Sequence, residues 1–196
     1  MKIIFVRHGE GMHTVDLPKS LQIYHPFLTK KGKEQVRLLR DTLPLESNDL
    51  LVVSPTVRTL ETASLWSENV DCVKIVHPAV APRIFPYKDS GRTLPCDQML
   101  SQNDVRTLFP QFLLKEDELL WHDGINVISP YELQKAITNF LKWCMEQKTN
   151  RICVVSHDGT ITAYREHINK ETLTRKDFLN EAMWYEIILS NMEERI

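Results

Sequence analysis

Three short aliphatic runs constrain this chain more than any other feature: Ile3 to Val6 (IIFV), Leu50 to Val53 (LLVV) and Ile152 to Val155 (ICVV). Each is apolar along its whole length, as a parallel strand buried on both faces must be. Each also stops at polar ground, with Arg7-His8 after the first, Ser54 to Arg58 after the second and Ser156-His157 after the third. Longer segments of helical periodicity lie between the runs, and that alternation points to an α/β fold. In open α/β sheets a ligand binds beyond the carboxyl ends of the strands. If the three strands are parallel neighbours, two arginines and two histidines converge there. The guest such a cluster suits is a small, doubly charged oxyanion, because guanidinium forks match phosphate geometry and imidazoles add donors. Taken singly, each of the four could be a capping or solvated residue; together they are less easily dismissed.

Two further strands are expected, VKIV (Val73 to Val76) and YEIILS near the end of the chain. The clearest helix follows SPYE, where Ser129 and Glu132 form a capping box around Pro130, and Leu133, Ile137, Phe140, Leu141 and Cys144 repeat on one face. A second starts at Thr29 and turns Val36, Leu39 and Leu43 inward, and a third starts at Ser54 with Pro55 next. From Pro78 to Cys96 there are four prolines and no clear period, which reads as an irregular lid or binding loop, or as a surface insertion.

At 196 residues the chain is expected to form one domain, residues 1–196, carrying this loop at about 78–97. The formal charge of -2 gives no electrostatic reason to expect a nucleic-acid partner. Only four apolar residues separate Lys2 from Arg7, too few for a signal-peptide core, and no run approaches membrane length. Cys72, Cys96, Cys144 and Cys153 show neither CxxC nor metal-ligand spacing, as expected of buried or free thiols in a reducing compartment. A cytoplasmic protein with no membrane partner is the expectation.

The stretches VRHGEGMHT, LTKKGKEQV, VVSPTVRTLETA and VVSHDGTI, in this order and spacing, resemble the motif series of the histidine phosphatase superfamily, in its phosphoglycerate mutase-like branch. RHGEGMHTV followed by LPCDQ resembles the phosphatases of that branch more than its glycolytic mutases. The resemblance implies a three-layer α/β/α sandwich around a mostly parallel sheet with an antiparallel edge strand. It implies that His8 is the nucleophile, that Arg7, Arg58 and His157 bind the phosphoryl oxygens, and that water hydrolyses the phosphohistidine. No metal or organic cofactor is implied, and the partner is a small-molecule or peptide phosphomonoester. Phosphoryl transfer depends mainly on positioning and on charge stabilisation, which these residue types supply. Arginines beside His8 should also keep it neutral, the only state in which an imidazole nitrogen can attack.

Thr14 stands where many relatives carry a phosphate-contacting asparagine, and its hydroxyl can still donate. The glutamate that serves many relatives as general acid has no counterpart between Ala79 and Asp97. Asp158 and Asp97 are the candidate acids, with Asp89 a distant third; Asp158 and Asp97 could equally cap the segments that follow them. Glu10 could steer substrate or pair with Lys30 or an arginine. His13 and His25 suggest a metal site with His157 but lack ligand spacing and read as loop residues. Arg83, Lys88 and Arg92 read as a solvated loop rather than a second anion site. The four tryptophans read as packing residues. The alternatives to a phosphatase are a phosphoglycerate mutase-type phosphotransferase, a low-activity phospholigand-binding regulatory protein and, least favoured, a metallohydrolase.

Overall fold

The computed structural model describes residues 1–189. Six strands form one sheet in the order β4-β3-β2-β5-β1-β6, with β1 at Lys2–Arg7, β2 at Leu50–Val53, β3 at Val73–Val76, β4 at Leu113–Leu114, β5 at Arg151–Ser156 and β6 at Trp184–Ile188. All neighbours are parallel except β6, which runs antiparallel to β1 along one edge. The final serine of YEIILS, Ser190, lies outside the described residues.

Alternate residues of the buried strands feed two separate cores, because successive side chains leave a strand on opposite faces. Ile3, Phe5, Val52, Ile152 and Val154 pack with α5 (Pro130–Glu146) and α6 (Asp158–Asn169). Ile4, Val6, Leu51, Val53, Cys153 and Val155 pack with α1 (Lys30–Thr42) and α2 (Val57–Trp66). The result is three layers, helices on both faces of a mostly parallel sheet. The cap and inward face of α5 are those expected, including the reciprocal Ser129–Glu132 bonds. The Thr29 side chain caps α1 by accepting the Gly32 N–H at 2.9 Å. Among the described residues no helix is long and apolar enough to cross a membrane, and all four cysteines are free and buried.

Two expectations are corrected. Ser54 does not cap α2; Thr56 holds that position without a side-chain bond, because Ser54 is still strand-bound through its N–H to Val155 and turns its hydroxyl to His157. Arg83 is not solvated: it is buried, donating to the carbonyls of Ile125, Asn126 and Ile128 at 2.8, 3.2 and 2.6 Å. The irregular segment is also more tightly tied than its composition suggests. Tyr164, Ser156 and Thr160 donate hydroxyls to the carbonyls of Ala79, Val80 and Ala81. Beyond it lie two short helices, α3 (Gln102–Leu108) and α4 (Glu118–Asp123).

Candidate active site

Strand β5 lies between β1 and β2, in a register that pairs Arg7 with Ser156 and Val53 with Val155. The residues immediately after all three strands therefore meet at one edge of the sheet. His8 and His157 have ring centroids 5.1 Å apart, although 149 positions separate them in sequence. Arg58 arrives from the first turn of α2. His8, Arg58 and His157 are 3, 1 and 4% exposed, so the cluster is desolvated as well as convergent.

The loop carrying His8 is held by its backbone. The His8 N–H donates to the Ser156 carbonyl at 3.1 Å, and the Gly9 N–H donates to the Thr62 hydroxyl at 3.1 Å. The His8 ring places Nδ1 2.7 Å from the Gly9 carbonyl, while Arg58 Nε lies 3.1 Å from Nε2. A carbonyl only accepts and a guanidinium only donates, so the ring proton sits on Nδ1 and the lone pair on Nε2. Burial holds the His8 pKa well below the ordinary imidazole value, and Arg58 and His13 lower it further.

Arg58 binds four groups at once. Besides His8 it donates to the Cys96 carbonyl at 2.6 Å and to Asp97 Oδ1 at 2.9 Å, and its Nη2 lies 3.0 Å from His157 Nδ1. His157 must then accept at Nδ1 and donate from Nε2 to the Ser54 hydroxyl, 2.8 Å away. Burial, then Arg58, holds His157 neutral as well. Asp97 is pushed the other way: burial raises its pKa, and Arg58 opposes the rise only in part.

Arg7 is gripped from its outer side by the Leu179 carbonyl at 2.5 Å, Glu181 at 3.2 Å and Asp158 at 3.1 Å. Asp158 does not cap α6. His157 occupies the cap position without a side-chain bond, and Asp158, at the first helical position, accepts its neighbour Gly159's N–H at 2.6 Å. Glu10 pairs with Lys31 at 2.6 Å, not Lys30, and accepts the Thr29 hydroxyl at 2.8 Å.

Arg7, His8, Arg58, Asp97, His157 and Asp158 line a cleft of about 630 Å³ that also takes in His13, Thr14, Leu17, Phe85, Lys88, Arg92, Arg175 and Phe178, but not Glu10 or Glu181. Asp97 and Asp158 face it; Asp89 is absent from its lining. Sequence reasoning set His13 aside as a loop residue, whereas the 3₁₀ turn Met12–Thr14 puts its ring centroid 5.5 Å from that of His8. Its adjacency to His8 within RHGEGMH was the available signal. Glu181 and Arg175 were missed because nothing local marks them; their role comes only from the return of the chain along β6. His25 lies outside the cleft lining, and no group of three or more His, Cys, Asp or Glu among the described residues could hold a metal ion.

A sheet of this topology whose strand ends present two histidines and two arginines to one cleft has the architecture of a histidine phosphatase, and the family model described as "Histidine phosphatase superfamily (branch 1)" matches residues 3–85. That match takes in the stretches carrying His8 and Arg58, and the curated relatives the chain resembles are named phosphoglycerate mutase-like. It is 28% identical over 192 residues to phosphoglycerate mutase-like protein 1 of Arabidopsis thaliana, covering 80% of this chain and 68% of the relative. In fold it is similar to a candidate alpha-ribazole-5'-P phosphatase from Escherichia coli K-12, with a TM-score of 0.64, 20% identity, and coverage of 96% of this chain and 90% of that one. It is also similar to the mycobacterial glucosyl-3-phosphoglycerate phosphatase solved with VO3, with a TM-score of 0.56, 16% identity, and coverage of 94 and 90%.

Proposed function

We propose that this protein is a phosphomonoesterase that works through a phosphohistidine on His8. The observation that supports this most is the polarity of the His8 ring: its proton is anchored on the Gly9 carbonyl and its Nε2 lone pair faces the guanidinium of Arg58. In the proposed first step the phosphoryl group displaces the Arg58 contacts to His8 Nε2 and His157 Nδ1; Arg58 and Arg7 take its oxygens, joined by His157 as its ring proton moves to Nδ1 and Ser54 donates to Nε2, while the freed His8 Nε2 attacks phosphorus and the P–O bond to the leaving group breaks. Asp97 donates the proton that the leaving oxygen needs. It is preferred to Asp158 because burial favours its protonated form and Arg58 holds only its Oδ1, whereas both oxygens of Asp158 already accept, Oδ2 from Arg7 and Oδ1 from a backbone N–H. In the second step Asp97, now a carboxylate, takes a proton from water as that water attacks the phosphohistidine. The chemistry calls for no metal or organic cofactor, and Arg7, Arg58 and the imidazoles supply the charge stabilisation. A cytoplasmic setting suits its buried free thiols.

The purified chain should cleave an aryl phosphate in the presence of a chelator and form an acid-labile, base-stable phosphoenzyme. His8→Ala should lose both properties, and turnover persisting in that variant would sink the mechanism. A phosphotransferase of the phosphoglycerate mutase type is the second reading, favoured by the basic outer wall of the cleft, where Lys88, Arg92 and Arg175 could hold a second anionic group. Phosphoglycerate isomerisation as fast as phosphate release would favour it.

A further inference from the structure

The turn that follows the His8 loop carries two polar side chains into the cleft, and they are not equally available. The Thr14 hydroxyl donates to the Gly11 carbonyl at 2.9 Å, so its one proton is already directed at the backbone. The His13 carbonyl accepts the Ser20 hydroxyl at 2.7 Å, but its side chain hydrogen-bonds to no described group. Its Nδ1 is buried without a partner against Gly11, where a Cβ would come within 2.7 Å of that nitrogen. An unpaired buried N–H is the more costly orphan, so the ring proton belongs on Nε2, the nitrogen left to meet a ligand. Arg7, which lines the same cleft, also has a buried and unpaired Nε. Buried polar groups in native proteins are nearly always paired, so two unpaired ones on residues of one cleft mark a binding surface.

We propose that His13 is a direct ligand of the phosphoryl group, donating from Nε2 to an oxygen that Arg7 and Arg58 also contact, while Thr14 serves as a backbone brace. This rests on the phosphatase reading only in taking the ligand to be a phosphoryl group. The small residue at Gly11 is part of the device, since an added Cβ there would come within 2.7 and 2.9 Å of His13 Nδ1 and Cε1 and 3.4 Å of Arg58 Cδ, so only glycine leaves room for the imidazole. Burial, Arg58 and Arg7 press the His13 pKa down to about 3, so the free site presents a neutral donor instead of a third cation.

The test is orthovanadate binding by calorimetry, with kcat/KM on an aryl phosphate, for the parent, His13→Phe, His13→Gln and Thr14→Val, each first checked for an unchanged thermal melt and circular dichroism spectrum. His13→Phe keeps the ring shape and removes both nitrogens. It should weaken vanadate binding roughly 10- to 100-fold, as expected for loss of a donor to a charged group, and lower kcat/KM by a similar factor. His13→Gln, which restores a donor, should recover part of both, and Thr14→Val should change vanadate affinity by less than about threefold. Vanadate bound equally well by His13→Phe and the parent would overturn the proposal while leaving the phosphatase reading intact. A parent that binds no vanadate and forms no phosphoenzyme would remove both.

Discussion

Asp97 is held between two influences of opposite sign, burial that favours its acid form and an Arg58 contact that favours its carboxylate. As the proton donor it must be protonated, so the reaction is favoured below its raised pKa and declines as pH rises through it. Alkyl phosphates, whose leaving oxygen needs the proton, should show this alkaline decline strongly, and aryl phosphates weakly. Asp97→Asn should flatten the decline and lower alkyl phosphate turnover by roughly 10²- to 10⁴-fold, with a much smaller loss for p-nitrophenyl phosphate. Equal losses on both substrates would assign Asp97 to Arg58 positioning alone. At this scale legibility followed distance from a strand end. His8, Arg7, Arg58 and His157 could be placed because the strands before them announce themselves. His13 sits five residues on, past two glycines and at a turn, and of the two arginines whose charges reach it Arg58 comes from a distant stretch that no local pattern brings near.

Helices and turns here are fastened to the site by close backbone contact more than by long side chains. Gly32, in the first turn of α1, sits where a Cβ would be 2.1 Å from the Glu10 carbonyl, so α1 packs directly on the chain leaving His8. Gly32→Ala should displace Glu10 and lower both stability and kcat/KM, measured by denaturation and by steady-state kinetics, although it touches no substrate. Arg83 is the exception, a long side chain that does the fastening. Replacing it with Met removes donors from three carbonyls and should lower the free energy of unfolding by about 2–4 kcal/mol in urea denaturation. The α5 cap and face were readable because a long amphipathic helix repeats its signal over several turns. The helices α3 and α4 and the two-residue strand β4 were not, since elements so short show too little period and are fixed by tertiary packing. The Pro78 to Cys96 segment failed to read for a related reason: its order comes from hydroxyl groups of β5 and α6 far along the chain.

Across the whole molecule, five of the seven histidines, His8, His13, His77, His157 and His167, have pKa values lowered chiefly by burial from the ordinary imidazole range, to about 3 for His13 and His77. The unfolded chain therefore binds more protons once pH falls below about 6.5, and the stability these groups contribute is lost between there and their folded values. Each should add about 1.4 kcal/mol per pH unit to the loss within that window. Urea midpoints taken across it should show the slope, and His77→Phe, remote from the cleft, should reduce it by one such increment. A pH-independent midpoint would contradict the burial of these rings. The α/β class and the three buried parallel strands were visible in the aliphatic runs themselves, whereas the three layers and the antiparallel edge strand were expected only from the resemblance to a known motif series.

The placement of β5 between β1 and β2 also sets an order of events during synthesis. When a ribosome has delivered the first 150 residues, both arginines and His8 exist, but the strand that must hold β1 and β2 in register is still missing. The cleft can close only once β5 has been made, so a message cut short before β5 should yield an inert fragment instead of a weakly active enzyme.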